Sequence, residues 1–344
     1  MIIPIKSYKN TFILLILILI IVALINISLG SVYIPLKGII ATLFNGEVEK
    51  ESWKSIIIHY RLPKAITAII VGSGLSISGL LMQTLFRNPL AGPFVLGISS
   101  GASLGVAILI LGASFLGANI TSYAFTNWGL AIAASLGSFL VLSAVMLAAL
   151  KVRNTMSILI IGLMFGSLTS AIISVLAYFS SASELQQYMF WSFGSLGNLS
   201  WKEITALFSV CFVGITLIAF IIKPLNSLLL GENYAKSMGV NVKQTRNITL
   251  ITTSLLTGVI TAFSGPIAFI GLAVPHLTKL IFSTSNHRTL LPAVAICGAI
   301  IMLICDSIAQ LPNSEFTLPI NAITSLFGAP IIIWLLVRKR KIYY

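Results

Sequence analysis

The constraint that most limits how this chain can fold is a succession of apolar runs, each long enough to cross a bilayer and separated by short loops. The run at 11–30 carries no charged side chain, and only 8% of the 344 residues are charged, against about a quarter in a soluble domain. Lipid offers no hydrogen bonds to the backbone, so only helices or a closed barrel can span it. The runs are continuous rather than alternating, which selects helices. The fold class read from this pattern is all-α, a polytopic membrane protein forming a single transmembrane domain over residues 1–344. At roughly 20 apolar residues per crossing, ten spans are expected at about 11–30, 62–86, 93–112, 128–150, 156–179, 203–222, 247–263, 266–283, 289–309 and 320–337. The stretch from Thr11 to Leu29 is too long for a signal-peptide core and is read as a retained first span.

Net charge is +13, which in a soluble protein would point to nucleic acid. Here the positions of the charges explain it without such a partner. With both termini on the cytosolic side, the inner loops hold Lys6, Lys9, Arg87, Lys151, Arg153, Lys223, Lys236, Lys243, Arg246, Lys279, Arg288 and Arg338 to Lys341, with Glu232 as their only acid. The outer side then balances Lys37, Lys50, Lys54, Arg61, Lys64 and Lys202 against Glu47, Glu49, Glu51, Glu184, Glu203 and Glu315. That asymmetry sets the orientation. Asp306 remains, inside the ninth span near its outer end. Cys211, Cys297 and Cys305 lack metal-like spacing and read as small core residues.

Three polar segments interrupt the spans. Residues 31–60 and 180–202 lie outside, with Trp53 expected at the headgroup level and Trp191, Phe193 and Trp201 as an interfacial anchor or a vestibule wall. The third, 223–246, is cytosolic and is where a soluble partner is expected to dock. Ala91-Gly92-Pro93-Phe94 opens the third span and Ser264-Gly265-Pro266-Ile267 the eighth; these run in opposite directions, as two inverted-repeat-like halves require.

The chain lacks the means for catalysis. His59, His276 and His287 are scattered, no ionisable residues are spaced as a nucleophile and base or as metal ligands, and there is no Gly-x-x-x-x-Gly-Lys-Ser/Thr loop. A membrane enzyme, and an ion-coupled transporter or channel that needs charge within the spans, are the rival classes. Small residues cluster in the second span (Gly72, Gly74, Ser76, Ser78 and Gly79) and recur four apart in the third (Gly97, Gly101 and Gly105) and the fifth, which favours close helix packing. The fifth-span set, Gly162, Gly166, Ser170 and Ser174 with Ser167, is the candidate face toward a translocation path. His276 follows Pro275 and is expected to repair that kink with a local hydrogen bond.

Several ordered motifs now converge: Arg61-Leu62-Pro63-Lys64, Gly79-Leu80-Leu81-Met82-Gln83, Arg87-Asn88-Pro89-Leu90-Ala91, Leu96-Gly97-Ile98-Ser99-Ser100-Gly101, Leu230-Gly231-Glu232-Asn233-Tyr234-Ala235, Gly265-Pro266 through Pro275-His276, and Gly328-Ala329-Pro330. Together they resemble the FecCD family, the permease subunits of bacterial ABC importers for ferric siderophores, haem and cobalamin. The resemblance implies a multi-pass protein of the cytoplasmic (inner) membrane, paired with a second copy or a related permease. It also implies two cytosolic ATPase subunits and an extracytoplasmic substrate-binding protein. The chain itself would bind no cofactor, ATP and magnesium belonging to the ATPase. By the same resemblance, Gly231, Glu232, Tyr234, Ala235, Met238 and Gly239 form the coupling contact with the ATPase, and Arg61 and Lys64 meet acidic residues of the binding protein. Asn88, Leu90, Thr155 and Met156 form a cytosolic gate. Ala309-Gln310 departs from the family's habit of a basic residue after the ninth span. Iron–siderophore import is the first expectation, haem or cobalamin the alternative.

Overall fold

A computed structural model describes residues 8–44, 46, 50–112, 126–152, 155–311 and 316–337; Lys6, Arg153, Glu47, Glu49, Glu315 and the basic cluster Arg338 to Lys341 lie outside them. Among the described residues every regular element is helical. In chain order these are α1 (Lys9–Ser28), α2 (Leu36–Leu43), α3 (Glu51–Ile56), α4 (Leu62–Phe86), α5 (Ile98–Ile110), α6 (Asn127–Leu150) and α7 (Thr155–Phe179), then α8 (Ala182–Ser192), α9 (Trp201–Leu228), α10 (Glu232–Ser237), α11 (Val242–Ser264), α12 (Ile270–Phe282), α13 (His287–Ala309) and α14 (Ile320–Val337). A π-turn, Ile57–Arg61, leads into α4, and a 3-10 turn, Pro93–Leu96, precedes α5.

Among the described residues seven helices are long and apolar enough to cross a membrane, and three shorter apolar ones, Ile98–Ile110, Ile270–Phe282 and Ile320–Trp334, overlap the other three predicted windows. The third and eighth windows are only partly α-helical. A left-handed residue, Gly97 in one case and Phe269 in the other, stands immediately before a helix of 13 residues. Such a helix is about 20 Å long, short of the roughly 30 Å apolar core. Two boundaries also move. α9 runs past Pro224 to Leu228 because Ile218, Ile221, Leu225 and Leu228 keep one buried face. α11 begins at Val242, where the Asn241 side chain accepts from Gln244 N. The polar break expected over 223–246 therefore narrows to 229–241.

α4 is the centre of the bundle. The span containing it is 78% buried, whereas that of α7 is 17% buried, and α4 packs against α9, α11, α12 and α13. Glycine permits this. A Cβ on Gly72 would lie 2.3 Å from the Gly298 carbonyl oxygen, and one on Gly79 only 1.5 Å from that of Gly271. Gly271 O is the carbonyl that Pro275 cannot pair within α12, so the glycine face of α4 covers that carbonyl. Two side chains tie the same faces: Ser73 Oγ donates to Ala295 O at 2.9 Å and Gln83 Nε2 to Leu272 O at 3.1 Å. The small-residue spacing of the second span is thus used for packing.

Replacing Gly79 by Ala drives a methyl into the Gly271 carbonyl, and we expect an apparent loss of about 3 kcal/mol. Gly166→Ala, where the nearest atom is Ser100 Oγ at 3.4 Å, serves as the control. Equal melting temperatures of the two variants in detergent would refute the close-approach argument.

Candidate functional site

The C-terminal end of α4 gathers the polar break, the Asn-Pro turn and two histidines. Gly231 (φ 110°) precedes α10, and Arg87 Nη1 would lie 3.6 Å from a Cβ there. Within α10 and its flanks the side chains divide. Ala235 is fully buried, while Leu230, Tyr234 and Met238, at four-residue spacing, are 63%, 52% and 58% exposed. The sequence expectation therefore needs correcting at Ala235, which packs inward and cannot fill a partner's groove. Leu230, absent from the predicted contact, belongs to the exposed stripe. Glu232 opens α10, where its charge suits the helix N-terminus. Gly239 (φ 80°) ends the segment, with open space where a Cβ would be.

Next to α10, Arg87 closes α4 in the left-handed conformation, and Asn88 Oδ1 accepts from Leu90 N at 2.9 Å in an Asx turn. Leu90 is exposed, as is Met156 at the start of α7. Ile158, two residues on, belongs to a buried cluster with Ala91, Leu96 and Leu250. Asn88 and Leu90 share one turn; the Thr155 side chain lies outside what is described.

Histidines hold this end. His276 Nε2 lies 2.7 Å from Pro89 O, so it fixes the Asn-Pro turn from another helix, and the expected local repair of the Pro275 kink is wrong. His287 Nδ1 lies 2.7 Å from Asn226 Oδ1, which also accepts from His287 N at 2.9 Å, and Thr84 Oγ1 is 2.8 Å from His287 Nε2. Because Asn226 Oδ1 can only accept, Nδ1 carries a proton; Thr84 Oγ1, which also donates to Leu80 O at 2.9 Å, completes the network at Nε2. It joins α4, α9 and α13 a few residues before the chain enters α10. No sequence spacing announced it, because its members are separated by up to 203 positions.

The α7 stripe divides as well. Gly162 is buried and backs onto Val95 and Leu96, and Gly166 faces Ser100. Only Ser167, Ser170 and Ser174 are exposed, with the Ser167 and Ser174 hydroxyls donating to the carbonyls of Leu163 and Ser170. Gly162 of the predicted path is thus a packing residue, Gly166 is half-buried, and the three serines are exposed.

At the other end of α4, about 37 Å away for a 25-residue helix, lie Arg61 and Lys64. Neither is an uncommitted surface cation. Arg61 Nη1 donates to the carbonyls of Ile27 (2.8 Å) and Ser28 (2.9 Å), and Nη2 to that of Val32, capping α1. Lys64 Nζ is 3.1 Å from Asp306 Oδ1. Asp306 Oδ2 accepts from Asn26 Nδ2 at 2.9 Å and Gln310 Nε2 at 2.8 Å. The sequence reading found no ionisable pair; both members were predicted at outer span ends, and that placement was the available signal. A cavity of about 690 Å³ opens over the pair, lined also by Tyr60, Phe190 and Phe193. A second, of about 310 Å³, includes Trp191 and shares Phe190, Ser195 and Asn198. Phe190 and Phe193, with Trp191, act as cavity walls. Trp53 instead packs on α2, 3.0 Å from where a Gly38 Cβ would be.

The chain matches the FecCD transport family over residues 17–338. It is 35% identical over 325 residues to the vitamin B12 import system permease protein BtuC of Klebsiella pneumoniae, covering 94% of this chain and 92% of that protein. Identity to the hemin transport system permease protein HmuU of Yersinia pestis is 34% over 328 residues, 95% of each. A solved chain described as a metal-chelate type ABC transporter in an inward-facing conformation superposes with TM-score 0.84 at 29% identity, covering 96% of this chain and all of that one. The span of the family match, the ordered motifs and the shared fold agree: the chain belongs to the FecCD transport family.

Proposed function

We propose that this protein is the membrane-spanning permease subunit of an ATP-driven importer, passing a bulky iron chelate, a ferric siderophore in the first instance, by alternating access. The observation that carries the reading is the exposed stripe of Leu230, Tyr234 and Met238 beside the Asn88–Leu90 turn, in a FecCD protein without a nucleotide-binding loop of its own. A short amphipathic helix of this kind suits an apolar groove on an ATPase, and its position suits the transfer of movement to a gate at Asn88, Leu90, Thr155 and Met156. The basic loops at this end support a cytosolic placement, with both termini on the same side and the α4 N-terminus facing out. There Arg61 and Lys64 would meet an extracytoplasmic binding protein. The exposed α7 face, with Ser167, Ser170 and Ser174, would line the path where this permease meets its second copy. No step of ATP chemistry falls to this chain.

A second reading is haem or cobalamin import. It is favoured by the names of the relatives, which are permeases for vitamin B12 and hemin. All three cargoes are large metal chelates, consistent with a wide path low in charge. Uptake of radiolabelled ferric siderophore, hemin and cobalamin by cells with and without the gene separates them. We expect only siderophore uptake to be lost on deletion; loss confined to hemin or cobalamin would replace the first reading with the second.

The coupling contact makes its own prediction. Tyr234→Asp and Met238→Asp change exposed side chains, so the protein should accumulate normally in the membrane. Transport should nevertheless fall at least about tenfold, the equivalent of some 1.4 kcal/mol of lost coupling. Wild-type uptake by both variants would remove α10 as the ATPase contact.

A further inference from the structure

Lys64 sits between two possible partners. On one side its ammonium is paired with Asp306; on the other it borders the 690 Å³ cavity, and its side chain is 21% exposed against 3% for Asp306. The charged groups among the described lining residues are Arg61, Lys64 and Asp306, an excess of positive charge at an opening. Arg61 is held by three carbonyls of the α1 end, which leaves Lys64 as the cation able to turn outward on a flexible stem.

Breaking a buried ion pair normally strands a charge. Asp306 is protected against that: Asn26 and Gln310 both donate to Oδ2 and would remain if Lys64 left. The lysine stem passes beside Gly197, its Cδ 3.5 Å from where a Cβ there would be. Gly197 belongs to the α8–α9 connection, whose Ser195 N donates to Ser264 O at 3.0 Å and whose Ser195 and Asn198 line both cavities. Lys64 therefore links α4 to α13 through Asp306 at the edge of this connection.

We propose that Asp306 holds Lys64 in reserve, and that a carboxylate on the docking binding protein takes Lys64 from it, exchanging the ion pair between α4 and α13 for one across the interface. This rests on the importer reading. The incoming acid has a differential affinity for the state in which Lys64 has turned outward. Asp306 competes with the partner rather than assisting it.

The test uses the full-length permease in lipid nanodiscs and the binding protein whose addition stimulates uptake through it. Asp306→Asn releases Lys64, so association at low salt should tighten about tenfold and its salt dependence should steepen by about one charge. Lys64→Met should weaken association and flatten the salt dependence. If both variants weaken binding with an unchanged salt slope, the pair is merely structural and the proposal is overturned. A second readout follows Lys64 itself, in protein treated with a membrane-impermeant amine reagent and read by mass spectrometry. Lys64 should react several-fold faster in Asp306→Asn than in the wild type; equal rates would also overturn the proposal. Should no binding protein associate with the wild type, the importer reading fails, and the reaction rate of Lys64 in Asp306→Asn still decides whether Asp306 holds the lysine back.

Discussion

Water-free burial of the backbone is the constraint on which the rest of this structure depends, and α4 bears most of it. A helix covered on nearly every side must be approached closely by its neighbours, and the glycines at 72 and 79 admit the carbonyls of Gly298 and Gly271 where any side chain would exclude them. The second of these is a carbonyl orphaned by Pro275. A carbonyl freed in α12 and a bare patch on α4 are therefore two halves of one arrangement. With α12 held there, His276 reaches Pro89, and the turn that follows α4 is fixed from outside its own helix. Packing at mid-bundle thus determines the geometry of a loop at the bundle's end.

The short helices α5 and α12 follow from the same physics. Each is entered through a Gly-Pro segment and a left-handed residue, and neither is long enough to span the apolar core alone. Irregular backbone at that depth is tolerated only where protein or a water-filled path covers it. For α5 the cover comes from α6 and α7, where Gly162 packs on Val95 and Leu96; for α12 it comes from α4, α13 and α14. The echo between the two halves thus marks matching elements with matching needs.

What was legible in the sequence was what is local. Apolar windows located the helices, and the Gly-Pro and Gly-Glu-Asn-Tyr motifs located the interruptions, because hydropathy and turn chemistry act over a few residues. Helix ends were read less well: α9 outruns its apolar window because burial of Leu225 and Leu228, not composition, decides where it stops. Four-residue glycine spacing revealed a face but not what covers it, so Gly162 was placed on a path when it packs on Val95 and Leu96. The polar contacts were illegible for the same reason. Lys64 with Asp306, and His287 with Thr84 and Asn226, meet only once the bundle is assembled, and no period along the chain encodes such a meeting.

The two ends of the bundle are held by different forces, and this decides what each can answer to. At the α10 end the ties among α4, α9, α12 and α13 are hydrogen bonds between neutral groups: His276 with a carbonyl, His287 with an amide and a hydroxyl. Such ties are directional, short-ranged and little affected by salt, so they transmit a displacement of α10 rather than a nearby charge. At the Lys64 end the tie is an ion pair supported by amides and open to a cavity, which an approaching charge can perturb before contact is made. A partner that pushes on an apolar stripe suits the first end, and one that offers carboxylates suits the second. The same chain can therefore receive a mechanical input at one face and an electrostatic input at the other, with the glycine-packed α4 as the rigid element between them.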